Sequence, residues 1–80
     1  MKLPRDVDAR QLIKALARLG YSETRQSGSH IRLTCESPER HSLTIPNHSP
    51  LKAGTLNAIL GEVAIRRGMD KQQLIRILFE

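Results

Sequence analysis

The hydrophobic period of this chain changes twice, and that change limits the possible fold more than any other feature. Apolar residues follow a helical period from Ala9 to Leu19, alternate with polar residues in the middle third, and return to a helical period after residue 54. An alternating strand buries one face and an amphipathic helix buries one stripe, so each needs the other. We therefore expect an α+β fold in which helices cover one face of a three-stranded antiparallel sheet.

The first helix is predicted from Ala9 to Leu19. Asp8 is suited to the N-cap, and Gln11 stands three residues later, where its side chain can reach back. Gly20 follows, where a left-handed residue commonly ends a helix. Bases recur every four residues on the polar face and predict a row of positive charge there: Arg10, Lys14 and Arg18.

The middle third predicts three consecutive strands with short turns. A polar stretch over residues 21–26 leads into the turn Ser27-Gly28-Ser29. The next strand, His30 to Cys35, alternates strictly, with Ile31, Leu33 and Cys35 on the core face and His30, Arg32 and Thr34 on the other. After a turn over residues 36–40, alternation resumes from His41 and stops at Pro46. We expect His41 to be exposed at the start of this strand.

The last third predicts a loop and two helices. Two prolines, Asn47 and Gly54 indicate a loop over residues 46–54, after which Thr55 is expected to cap the second helix. Gly68 is placed to end that helix. Asp70, followed by Gln73, predicts the start of a short C-terminal helix whose apolar residues are Leu74, Ile75, Ile77 and Leu78.

Length and charge narrow the class of partner. Eighty residues predict one domain, spanning residues 1–80, with no room for a separate cofactor domain. The net charge is +5, of which residues 1–34 contribute seven bases against three acids, or +4. Nine of the thirteen bases are arginine, which forms forked contacts with phosphate, so an anionic partner such as nucleic acid is favoured. With only Tyr21 and Phe79 as aromatics, recognition by stacked rings is excluded.

Several other classes of protein are disfavoured. A single cysteine, Cys35, excludes an internal disulfide framework, and neither a CxxC motif nor a helical pair of histidines indicates a metal site, so we expect no metal and no cofactor. Because Cys35 alternates with core residues, a packing role is favoured over that of a nucleophile. The charged start, residues 1–5, lacks a signal-peptide core, and no apolar run could span a membrane, so a cytoplasmic protein is expected.

His30 is the candidate with the most chemical interest. It follows Gly28 and Ser29, where a tight turn enters a strand, and shares a face with Arg32. Imidazole can give or take a proton near neutral pH, and an arginine can hold a phosphate, a pairing that suits RNA cleavage by the 2′-hydroxyl. The plain alternative is an inert surface histidine. His48, in the loop, is interpreted as a loop residue bonding its own backbone, and the alternative is a substrate contact or a second proton-transfer group near His30.

The order of motifs resembles the HicA family of toxins. The resemblance runs from about Leu12 to Leu78 and is carried by Gly28-Ser29-His30, then Pro46-Asn47-His48, then Gly54-Thr55-Leu56. It implies a fold similar to the double-stranded-RNA-binding domain, α-β-β-β-α, with a short C-terminal helix added. It also implies an mRNA interferase of a type II toxin–antitoxin system, cleaving mRNA without a dedicated metal, with His30 as its essential histidine.

Partners are also implied by the resemblance. A HicB-type antitoxin would bind the toxin and block His30, and the complex would repress its own operon by binding operator DNA. Weaker candidates for RNA contacts are Gly28, Ser29, Arg32, His48 and the basic row of Arg10, Lys14 and Arg18. Two other functions remain open: a non-catalytic double-stranded-RNA-binding domain, which would bind duplex RNA without cutting it, and a protein-binding module of a regulatory complex.

Overall fold

The part of the chain that the structure describes folds into three helices and a three-stranded antiparallel sheet, in the order that the sequence predicts. The computed structural model describes residues 6–37, 39–48 and 50–79. The charged segment 1–5, Pro38 of the predicted turn, Ser49 and Glu80 lie outside the described residues. The elements are α1 (Ala9–Ala17), β1 (Ser22–Ser27), β2 (His30–Cys35), β3 (His41–Pro46), α2 (Ala53–Arg67) and α3 (Lys71–Phe79).

The sheet has the order β1-β2-β3, with both pairings antiparallel. Ile31, Leu33 and Ile45 are fully buried, whereas the intervening Arg32 and Thr44 are exposed, so one face carries the core and the other is open. The apolar stripes of the helices complete the core, with Leu12 and Leu16 from α1, Leu60 and Val63 from α2 and Leu74 from α3 all fully buried. The prediction of helices over one sheet face is confirmed.

Capping interactions form as predicted at three helix ends. Asp8 and Gln11 exchange hydrogen bonds in a capping box at the start of α1, and Asp70 and Gln73 do the same before α3. Gly68 ends α2 in the left-handed conformation, with φ of 66°. These signals act over three or four residues, which is why they can be read from sequence.

The start of α2 differs from the prediction. The helix begins at Ala53, two residues before the expected cap Thr55, and Lys52 is the N-cap without a side-chain hydrogen bond. The loop is correspondingly shorter, because Pro46 completes β3. α1 also ends earlier, at Ala17, and the residues up to Gly20 form a turn.

The burial of three residues differs from what the sequence predicts. His41, expected to be exposed, is only 8% exposed, because it shares the inward phase of Leu43 and Ile45 on β3. Thr34, expected on the open face, is 6% exposed and is covered by hydroxyl neighbours on both adjacent strands. Ile77 of α3 stays 44% exposed. The prediction that His41 is exposed was wrong, although the alternation of β3 places His41 on the core face with Leu43 and Ile45.

Candidate functional site

A two-residue turn sets the position of His30. Ser27 and His30 are paired as the last residue of β1 and the first of β2, with Gly28 and Ser29 between them. Gly28 has φ of +59°, a conformation that side-chain-bearing residues adopt only with strain. The turn therefore depends on glycine at this position. It makes His30 the first residue of the central strand, next to the turn.

His30 lies on the open face of the sheet at that end. Its side chain is exposed, with Ser27 of β1 on one side and Pro46 of β3 on the other. Alternation along β2 puts Arg32 on the same face, roughly 6.6 Å further along the strand. An imidazole and a guanidinium are thus presented together to solvent, as the sequence predicts.

The loop after β3 is held against this turn by backbone hydrogen bonds. The amide of Asn47 donates to the carbonyl of Ser29 at 2.6 Å, and the amide of His48 donates to the carbonyl of Pro46 at 2.9 Å. The carbonyl of His48 in turn accepts from the amide of Ala9 at 3.1 Å. The Gly-Ser-His and Pro-Asn-His elements, 18 positions apart in sequence, therefore meet at one end of the sheet.

The start of α2 lies at this same end, because the chain leaves β3 there and returns through a short loop. The amide of Leu51 donates to the carbonyl of Val7 at 2.8 Å, which ties that loop to the segment before α1. Lys52 provides no side-chain cap, so the first amides of α2 have no side-chain acceptor at that position. The dipole of α2 and the charge of Lys52 both contribute positive potential at the start of this helix.

The basic row of α1 lies in the helical layer, on the other side of the sheet from His30. Arg10 contacts Glu23 at 2.9 Å and Gln26 at 3.5 Å, so its guanidinium is engaged at the helix-covered side of β1. Arg18 donates to the carbonyl of Ile77 at 3.2 Å. Lys14 and Arg18 border a depression of about 480 Å³ whose other side is formed by Leu78 and Phe79 of α3. The structure does not bring this row to the face that carries His30 and Arg32.

The third histidine is part of the core. The Nε2 atom of His41 lies 2.6 Å from the Tyr21 hydroxyl, and its Nδ1 atom lies 2.8 Å from the carbonyl of Glu39. Burial, reinforced by the nearby thiol of Cys35 and opposed by Arg67, raises the pKa of Tyr21 to about 12. Cys35 itself is 2% exposed and packs in the core, as expected.

Two functional candidates escaped sequence reasoning: Arg25 and Arg40. Both border a depression on the open face, together with Arg32. A bulge in β1 places Arg25 directly opposite Arg32, a register that alternation alone does not reveal. Their only signal in the sequence is the arginine excess.

Two classes of site are not found in the described part of the chain. Among residues 6–37, 39–48 and 50–79, no three histidine, cysteine or acidic side chains cluster as metal ligands would. The described helices include none with the length and apolarity to cross a membrane.

A family model described as "HicA toxin of bacterial toxin-antitoxin" matches residues 9–65, which is more than half of the chain. The match includes the Gly28-Ser29-His30 turn, the loop with His48 and most of α2. Neither a curated protein nor a solved structure matches this chain.

Proposed function

Because this chain belongs to the HicA toxin family of bacterial toxin–antitoxin systems, we propose that it is an endoribonuclease that cleaves mRNA, with His30 moving a proton at the scissile phosphodiester. The observation that carries this proposal is the exposed His30 at the end of β2, beside Arg32 on an open, basic face. RNA is the general target of this toxin family, and the site supplies one group that can transfer a proton and one cation that can contact a phosphate.

The reaction proposed is transesterification within the RNA chain. The 2′-oxygen of one ribose bonds to the adjacent phosphorus as its proton leaves, and the bond from phosphorus to the 5′-oxygen of the next nucleotide breaks. That 5′-oxygen takes up a proton, so the products are a 2′,3′-cyclic phosphate and a 5′-hydroxyl. One base and one acid suffice, and His30 serves at one of the two oxygens.

Positive charge supports the same step. The phosphorane-like transition state carries more negative charge on its oxygens than the substrate does, and a guanidinium such as that of Arg32 stabilises it. The amides of the Gly28-Ser29 turn and of the start of α2 lie at the same end of the sheet. His48 is held at this end through its backbone and is a second candidate to contact the substrate.

Partners follow from the proposal. We infer that a HicB-type antitoxin covers His30, and that the toxin–antitoxin complex binds operator DNA. A toxin that cuts mRNA would act in the cytoplasm, where mRNA is translated.

The test is cleavage of RNA by the purified protein and growth arrest on its expression without an antitoxin. His30→Ala and His30→Gln should each lower cleavage by about 10²- to 10⁴-fold, the usual contribution of a proton-transfer group. Both should leave the free energy of unfolding within about 0.5 kcal/mol, because the side chain is exposed. Gln72→Ala, an exposed change on α3, is the control and should retain activity.

The outcome separates the candidate functions. Full cleavage by folded His30→Ala would refute the role of His30. Tight binding of duplex RNA with no cleavage by the unaltered protein would instead identify a non-catalytic RNA-binding domain. Absence of any RNA affinity would favour a protein-binding module. The pH profile of the cleavage rate then assigns the role: protonation of His30 inhibits if it is the base, and deprotonation inhibits if it is the acid.

A further inference from the structure

Two arginines stand directly opposite each other on the open face of the sheet. Arg25 of β1 is the cross-strand partner of Arg32 of β2, and both side chains are exposed. Such partners have Cβ atoms about 4.5–5.5 Å apart, and like charges in this position destabilise a sheet. The repulsion is relieved when an anion binds between them.

None of the described residues that line the depression around this pair is acidic. The depression into which both arginines face is lined by Thr24, Arg25, Arg32, Thr34, Arg40 and Ser42. Of the described residues, none forms an ion pair with Arg25 or Arg32. Glu23, the acid nearest in sequence to Arg25, is instead held by Arg10 on the other face of the sheet.

A third arginine, Arg40, reaches the same depression from the turn before β3. Its only ion-pair partner among the described residues is Glu36 at 3.6 Å, and both side chains are about three-quarters exposed, at 77% and 74%. A pair so exposed is worth little and is readily exchanged for another anion. The depression therefore offers three guanidinium groups to a ligand.

Three residues with hydroxyl groups also line the depression. Thr24 and Thr34 lie 3.0 Å apart through their Oγ1 atoms, and the Oγ1 atom of Thr34 lies 3.1 Å from the Oγ atom of Ser42. Hydroxyl groups both donate and accept, so this row can meet phosphate oxygens and ribose hydroxyls alike. No lining residue is apolar, which is unlike the buried centre of a protein–protein interface.

We propose that Arg25, Arg32 and Arg40 form a phosphate-binding site that holds the sugar–phosphate backbone of single-stranded RNA on the open face of the sheet. The site rests on the proposed function, because it names where the substrate of that function binds. Arg32 stands two residues from His30 on the same face, and Arg40 lies towards the other end of β2, so an RNA strand that runs along β2 from Arg40 past Arg32 reaches the imidazole. Recognition would be of the backbone rather than of the bases, in keeping with an aromatic content of only Tyr21 and Phe79.

The experiment measures binding of a fluorescein-labelled 2′-O-methyl RNA, which cannot be cleaved by attack of its 2′-oxygen, at several salt concentrations. For single strands, the slope of log affinity against log salt concentration is negative, and its magnitude decreases by about 0.7 for each phosphate contact removed. Arg25→Gln and Arg32→Gln should each reduce this magnitude by about 0.7, and the double variant by about 1.4. Arg76→Gln, an exposed change on α3 with the same loss of charge, is the matched control and should keep the slope.

Stability distinguishes a binding role from a structural one. Removing either member of a like-charged pair relieves repulsion, so Arg25→Gln and Arg32→Gln should leave the thermal midpoint unchanged or raise it. A lowered midpoint together with an unchanged slope would show that the arginines serve folding instead, which would overturn the proposal.

Three further outcomes are informative. If polyglutamate binding depends on the arginines and RNA binding does not, the face is a site for an acidic protein segment, and the RNA proposal is wrong. If unmodified RNA is never cleaved but the 2′-O-methyl RNA still binds through the arginines, the proposed enzyme activity fails and the phosphate site stands. If His30-dependent cleavage is seen with unchanged slopes in both arginine variants, the activity stands and the phosphate site fails.

Discussion

The hydroxyl of Tyr21 and the Nε2 atom of His41 lie 2.6 Å apart in the core, with their rings edge to face. Nδ1 of His41 must donate to the carbonyl of Glu39, since a carbonyl can only accept. In the neutral ring Nε2 is then an acceptor, and the Tyr21 hydroxyl donates to it. Both polar groups are thereby satisfied inside an otherwise apolar cluster.

This pair predicts a loss of stability at high pH. Burial raises the pKa of Tyr21 to about 12, whereas the unfolded chain has the ordinary value of 10.0. A raised pKa gives a contribution that is complete below pH 10 and is lost as the pH rises through 12, because the unfolded state releases its proton first. Unfolding by urea should show a decrease of about 2–3 kcal/mol across this range that Tyr21→Phe lacks.

At neutral pH the same variant isolates the hydrogen bond. Tyr21→Phe keeps the ring but leaves Nε2 of His41 without its donor, so the free energy of unfolding should fall by about 1–3 kcal/mol. An unchanged stability at pH 7, or an alkaline transition that survives the substitution, would show that the pair is not coupled as described.

The turn before His30 should be sensitive to a methyl group at residue 28. A Cβ on Gly28 would meet no atom within 4 Å, so the cost of Gly28→Ala comes only from φ of +59°. We expect a loss of about 1–2 kcal/mol, measured by urea unfolding. Gly28→Asn should cost less, since asparagine tolerates this region better. Equal losses in the two variants would argue against a backbone origin.

The two capping boxes should contribute by similar amounts. The Oδ1 atom of Asp8 accepts from the amide of Gln11 at 2.8 Å, and that of Asp70 accepts from the amide of Gln73 at 2.8 Å. Replacing either aspartate by alanine should cost about 1 kcal/mol, whereas asparagine, which keeps the acceptor, should cost much less. Thermal unfolding of the four variants checks this, and an alanine variant as stable as the unaltered protein would contradict it.

The reactivity of the Cys35 thiol reports how often the fold opens, and this measurement needs no substitution. Its side chain is buried, and its Sγ atom lies 3.0 Å from the carbonyl of Ser37. A disulfide reagent should therefore react with native protein only through opening of the fold, and far more slowly than with the unfolded chain. Reaction in native buffer at the rate of a free thiol would contradict the burial of Cys35.

Much of the fold was predictable because its signals are local. Both capping boxes, the turn at Gly28 and the alternation of β2 lie within a few residues, and each predicts its element correctly. The prediction of Thr55 as a cap was wrong because Lys52 and Ala53 already continue the backbone into α2, although neither is a favoured N-cap residue.

The sequence by itself determined the order of elements, the core face of β2 and the place of His30 after a tight turn, since periodicity and turn chemistry act over short distances. Only the tertiary structure decided which distant groups meet. Sheet pairing brought Asn47 to Ser29, and the bulge after Glu23 set Arg25 rather than Thr24 opposite Arg32. Register and packing are set by the whole sheet and its helices, so the three arginines that gather on the open face become visible only in the folded chain.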